Sequence, residues 1–172
     1  MDKSELKRKL HDDRDDLIGE HKIGDAGQMV LFFVFFIVWI VDCFIYEFSI
    51  ILFPNVHLLV ALPVSLIILV IAGYLAKTSL KIVFDEVRDK PEVINKSVFQ
   101  YVRHPMYLSA ILLYLAFLIF ELSLAALIIW IITIIFYHFI ARYEEKLLAE
   151  HIGSDYIKYK ESVPMWIPKL KK

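Results

Sequence analysis

Two short clusters hold most of the side chains able to do chemistry in an otherwise apolar chain. The first is Tyr101-Val102-Arg103-His104-Pro105-Met106-Tyr107, with a guanidinium, an imidazole and two phenols just ahead of a long apolar run. Pro105 suits the first turn of a helix, where its missing N–H costs nothing. Arg103 and His104 at a helix N-terminus oppose the macrodipole, so the dipole does not explain them. A structural reading is open: Arg103 snorkels to lipid phosphates and Tyr107 joins an interfacial belt. The second cluster is Arg142-Tyr143-Glu144-Glu145-Lys146-Leu147-Leu148, at the end of that apolar run. Two adjacent carboxylates are costly to bury and then call for a cationic partner. The alternative is a solvated helix start in which they pair along their own helix. His138 lies one turn before Arg142 on the same face, lining a pocket or satisfied between helices. Cys43, the single cysteine, cannot close an intrachain disulfide and has no base beside it, which reads as lipid-facing or core filler.

Apolar elements must position these clusters. The chain has 172 residues, 59% of them hydrophobic, and a mean hydropathy of +0.60, above the roughly 45–50% apolar content of soluble domains. Its 19 basic and 20 acidic residues nearly cancel, so net charge selects no partner. A spanning helix needs about 20 mostly apolar residues. The first candidate is Gln28 to Phe53, interrupted late by Asp42 and Glu47; the second is Val56 to Ala76, containing Pro63. Phe53-Pro54-Asn55 marks a tight turn between them. Met106 to Ile140 divides into a third and fourth span at Glu121-Leu122-Ser123. One continuous helix there would overrun the bilayer.

The expected fold is therefore all-α: an integral membrane protein of four transmembrane helices with cytosolic helical extensions. Residues 1–27 form a cytosolic N-terminal segment that is no signal peptide, since it mixes both signs. Residues 28–172 form the membrane domain. All 19 Lys and Arg residues fall on one side, six in the N-terminal segment, six over 77–104 and seven in the tail, while the turns at Pro54 and Glu121 carry none. The positive-inside rule puts both termini in the cytoplasm. Lys77 to Val87 reads as a helical continuation of span two, ended by Pro91, and Arg142 to Ile152 as one of span four, ended by Gly153. Residues 1–18 read as a thinly amphipathic surface helix. Glu20-His21 and Gly24-Asp25 read as a helix cap and turn, or as a lid.

The order Arg103-His104-Pro105-Met106-Tyr107, Glu144-Glu145-x-x-Leu148, Gly153-x-x-Tyr156-x-x-Tyr159 and Val163-Pro164-Met165-Trp166-Ile167-Pro168 resembles the isoprenylcysteine carboxyl methyltransferase family and related phospholipid methyltransferases. The resemblance covers about residues 74–168, with a cofactor-binding part of about 77–168. It implies S-adenosylmethionine as cofactor, leaving as S-adenosylhomocysteine, with no metal and no nucleic-acid partner. Arg103, His104, Pro105, Met106 and Tyr107, the segment Glu92, Val93 and Ile94, and Glu144 are implied to wrap it. An arginine near the acid pair is implied to face an anionic acceptor. Arg142 is the nearest, at an offset that differs from the family's. Glu145 or His138 would serve as base if the acceptor were an amine; a carboxylate acceptor needs none, and alignment with exclusion of water then suffices. The acceptor is expected to be a lipophilic small molecule entering from the bilayer, with helices one and two as its apolar wall.

The chain departs from the family where Gly-x-Tyr often precedes Arg-His-Pro: here Ser97-Val98-Phe99 stands, and Phe99 can stack on adenine but has no hydroxyl to donate. Ser109 replaces a common glycine after Tyr107, and both residues are small enough for close helix approach. Five glycines, none in a Gly-rich turn after a strand, argue against a Rossmann methyltransferase. Two rivals stand beside this reading. An NADPH-dependent membrane reductase related to sterol reductases would carry Gly-Asp after the tyrosine and lack the double glutamate, where this chain has Leu108-Ser109 and Glu144-Glu145. A non-catalytic membrane module would keep the fold and bind no cofactor.

Overall fold

A computed structural model describes residues 22–49, 54–85 and 91–168. Every regular element among them is helical: α1 (Lys22–Val41), α2 (Pro54–Leu80), α3 (Pro105–Phe120), α4 (Leu124–Ile152) and α5 (Ser154–Ser162). Three stretches are long and apolar enough to cross a membrane: Ala26–Tyr46, Leu59–Asp85 and Leu124–Ile152. The expected third span, α3, has only 16 residues. At about 1.5 Å per residue it is roughly 24 Å long, short of a hydrocarbon core of about 30 Å.

The chain does turn where Glu121-Leu122-Ser123 predicts. Ser123 caps α4 by accepting the Ala126 N–H at 3.0 Å, so one continuous helix is replaced by an antiparallel hairpin. Trp130 pins that hairpin, donating its indole N–H to the Ile111 carbonyl at 3.0 Å. Phe35 and Trp39 of α1, Ile111, Tyr114 and Leu118 of α3, and Ala126 and Tyr137 of α4 make the buried core. Lipid tails are as apolar as these side chains, so close fit and polar ties hold the helices together. Gly27 permits one such approach: a Cβ there would stand 2.3 Å from the Phe136 ring of α4.

The first span ends earlier than Phe53. After α1 a wide π-type turn covers Asp42–Tyr46, and Glu47 takes a left-handed conformation at φ 48°. The cause is Asp42, which turns the following chain back by accepting the Ser49 N–H at 3.0 Å and the hydroxyls of Ser49 and Ser123. Ser49 in turn accepts from Leu124 and Ala125 at the start of α4. An acid in a membrane segment thus finds its partners at the helix ends.

At the opposite end, α1 starts at Lys22, six residues ahead of Gln28, and takes in Gly24-Asp25. The expectations for residues 1–18 and Glu20-His21 lie outside the described residues. Beyond Leu80, α2 widens into a π-type turn over Lys81–Asp85; the end of the expected extension, at 86–87, is likewise outside them. The apolar part of α4 closes at Ala141, and its charged continuation from Arg142 stops at Gly153. There φ is 77° and the glycine N–H bonds back to Ala149.

Ser97 opens the short 3₁₀ turn Ser97–Gln100 with φ 53°. The left-handed region disfavours a Cβ by about 1–2 kcal/mol, which explains a glycine preference at this place. Ser97→Gly is expected to stabilise the protein by about 1 kcal/mol, read as a raised thermal midpoint in detergent; an unchanged midpoint would mean that Ser97 bears no strain.

Candidate functional site

The clusters legible in the sequence meet at the end of the bundle where α3 begins and α4 leaves its apolar part. Pro105 is buried in the first turn of α3, and His104 stands just before it as N-cap. One helical turn on, the Tyr107 hydroxyl donates to Glu144. The imidazole of His104 stands between the two glutamates, Nδ1 3.6 Å from Glu144 Oε2 and Nε2 3.3 Å from Glu145 Oε1. Adjacent residues on α4 point about 100° apart, so one carboxylate faces Tyr107 and the other turns under His104.

Glu145 is the hub. Its side chain is fully buried, with Arg103 Nε at 2.8 Å and Lys160 Nζ, from α5, at 2.8 Å. The Arg103 Nε approach is an ion pair without hydrogen-bond alignment. Burial alone would raise the Glu145 carboxyl; His104, Lys160 and Arg103 override it and hold the group well below the usual carboxylate range. Arg103 does not snorkel to lipid. Its other end donates to the Lys160 carbonyl at 2.6 Å, in the last turn of α5, where the helix dipole favours a cation. Its backbone N–H bonds to Pro164 at 3.0 Å.

Burial dominates His104 and lowers its pKa against the pull of Glu145, so the ring is neutral at pH 7. The unfolded chain then binds more protons below about pH 6.5. The stability contributed by the neutral ring is present above that pH and lost as pH falls through it toward the folded value. The thermal midpoint is expected to drop between about pH 7.5 and pH 5, and His104→Gln to flatten that slope; an equal slope in the variant would place the titrating group elsewhere.

The remaining expected residues are placed less uniformly. Met106 is half-buried. Val93 packs on the α4–α5 corner with Leu148, Tyr156 and Tyr159, whereas Ile94 packs with Ile82, Val98 and Phe99. The Phe99 ring is thus core, and its carbonyl accepts the buried Tyr159 hydroxyl at 2.7 Å. A tyrosine hydroxyl does reach this turn, but from α5. Burial raises the Tyr159 phenol well above its ordinary pKa, keeping it a donor. Glu92 and Arg142 are exposed.

Lys160, Tyr159 and Trp166 were not read as site residues from the sequence. Tyr159 and Trp166 stand in the motifs that carry the family resemblance, which gave them no role; Lys160, one lysine in a charged tail, gave no signal. Trp166 packs on the bundle beside Tyr107, its ring centroid 5.9 Å from that of His104.

An apolar pocket of about 480 Å³ opens between α1, α3 and α4, lined by Met29, Phe32, Phe33, Leu113, Tyr114 and Tyr137 among others. It is lined by α1 and the α3–α4 hairpin, while α2 packs along α3. The pocket does not contain the acid pair. It is joined to it by one contact: Tyr137 stacks on Tyr107 at 5.1 Å and 17°.

A buried ion hub, a carboxylate beside a phenol and a neighbouring apolar pocket at one end of a helical bundle suit chemistry on amphiphiles. No curated protein matches the chain. The family model for phospholipid methyltransferase matches residues 57–155, more than half of the 172, from the first turn of α2 to the start of α5. This helical, membrane-type chain belongs to the phospholipid methyltransferase family.

Proposed function

We propose that the protein transfers a methyl group from S-adenosylmethionine to a lipophilic acceptor, a prenylcysteine-like carboxylate or another small amphiphile, at the cytosolic membrane face. The observation that carries this reading is the meeting of Tyr107, His104 and Glu144 within the segment matched to the family. The donor set suits the cofactor. It bears an ammonium and a sulfonium, both stabilised by a nearby carboxylate, and the sulfonium supplies the methyl group when bound. Glu144 and the turn from Arg103 to Tyr107 hold it, and Glu92, Val93 and Ile94 flank it.

His104 keeps the carboxylates apart and in place. Glu145, buried and ion-paired, is too weak a base to take a proton from an ammonium acceptor; its part is to fix Arg103 and Lys160. A carboxylate acceptor fits this arrangement best, since it arrives ionised and asks only for alignment and dryness. The pocket between α1, α3 and α4 receives its hydrocarbon part from the bilayer, and Tyr137 leads toward Tyr107. The exposed Arg142 meets the acceptor's charge at the rim.

The same reading takes α3 as the third of four crossings, slightly short for the bilayer, and puts both termini in the cytoplasm. The absence of Lys and Arg from the turns at Pro54 and Glu121 supports it. The test is calorimetric titration of the detergent-purified protein with S-adenosylmethionine, S-adenosylhomocysteine and NADPH. Binding of the first two supports the reading. Binding of NADPH alone would make the protein a reductase, and binding of none by a folded sample would make it a non-catalytic membrane module.

A further inference from the structure

Beyond the acid hub, aromatic side chains continue the site in an unbroken line. Tyr137 stacks on Tyr107 at 5.1 Å and 17°, and Tyr107 on His104 at 5.8 Å and 12°. His104 meets Trp166 at 5.9 Å and 41°. The line then returns to its origin, because the Trp166 indole N–H donates to Nδ1 of His138 at 3.4 Å, and His138 is the neighbour of Tyr137 on α4. Trp166 belongs to no helix. It sits in the segment after α5, held upstream by the Val163 N–H bond to Tyr159 and the Arg103 N–H bond to Pro164. The indole is thus fixed at two points: its ring tilted beside the site histidine, its N–H on α4.

We infer that Trp166 and His138 are a positioning pair: His138 anchors the indole, and the indole holds the His104 ring where Nε2 faces Glu145 and Nδ1 faces Glu144. The physical reason is that His104 has no side-chain cap bond of its own as N-cap. Ring orientation therefore depends on its carboxylate neighbours and on what packs against its faces. Losing the indole contact leaves only the Glu145 bond and the Tyr107 stack to orient the imidazole, and with it the spacing of Glu144 from Tyr107. His138 accepts that bond through its Nδ1 lone pair. For its ligand the inference rests on the methyl-transfer reading; for its geometry it does not.

The experiment is a double-mutant cycle on S-adenosylhomocysteine affinity, with Trp166→Phe removing the N–H and His138→Phe removing the acceptor while keeping bulk. Each single variant is expected to weaken binding about three- to tenfold, the size of one hydrogen bond, and the double variant to be no weaker than either. Thermal midpoints close to the wild type would separate positioning from folding. In the ligand-free protein, the ¹⁵N imidazole signal of His104 is expected to be sharp in the wild type and broadened in Trp166→Phe. Single variants that bind as the wild type does, or effects that multiply in the double variant, overturn the inference. Should the wild type bind no S-adenosylhomocysteine, methyl transfer fails instead, and the His104 signal alone decides: unaltered by Trp166→Phe, it overturns the pair.

Discussion

Glu145→Ala is expected to destabilise the protein by about 3–5 kcal/mol, the cost of removing one partner from a buried ion pair. The carboxylate is fully enclosed, with Arg103 at 10% exposure on one side and the more open Lys160 on the other. Lys160 can swing into water when its partner is lost; Arg103 cannot, and its uncompensated charge sets the size of the effect. Glu145→Gln keeps the volume and one acceptor and falls between. Because the carboxyl is held low, its contribution is present above the ordinary carboxylate pKa of about 4.3 and is lost as pH falls through the folded value. Chemical unfolding in detergent measures all three points. A loss below about 1 kcal/mol for the alanine variant would show that Arg103 rehydrates freely and that the hub is a surface feature.

Glu144→Ala is expected to leave the fold standing and to weaken cofactor binding by about ten- to a hundredfold, the range of a charge-assisted contact. Glu144 is the more open acid of the two, its side chain 15% exposed against none for Glu145. Its carboxylate takes the Tyr107 hydroxyl and stands near a neutral ring. A carboxylate placed at the sulfonium would cost S-adenosylmethionine more than S-adenosylhomocysteine, which lacks that charge; one placed at the ammonium would cost both alike. Calorimetry of the two ligands separates these cases. Equal affinities in variant and wild type would remove Glu144 from the binding site.

The parts of this arrangement that were legible in the sequence have local causes. Pro105 before an apolar run, Ser123 after a polar interruption and Gly153 after a charged helix end each act on their own few residues, and each boundary falls where its residue type demands. The site's two halves were legible as clusters because arginine, histidine and paired glutamates are rare beside apolar runs. What joins them was not. The Lys160–Glu145 ion pair and the Trp166–His138 bond link residues far apart in the chain, and neither leaves a periodic trace. The early end of the first span was hidden for a different reason. Phe44, Ile45 and Phe48 continue the hydropathy past Asp42, while the bond that turns the chain involves Ser49, an unremarkable residue in sequence. At Ser97, composition records a departure from glycine but not the backbone angle that makes it matter.

The tie from Asp42 to Ser49 and Ser123 lies at one end of the α1–α4 pair, and the close approach of Gly27 to Phe136 at the other. Fastened at these two places, α1 and the apolar half of α4 behave as a single beam. The stretch from α5 to Trp166 is laid against that beam and fastened to it by Lys160 on Glu145 and Trp166 on His138. Amide protection would then grade along the molecule, slowest to exchange at 123–127 and fastest past Pro164. A small water-borne molecule reaching Glu144 would pass on the tail's side of the beam, while an oily one gliding in through the α1 face would find its doorposts already set.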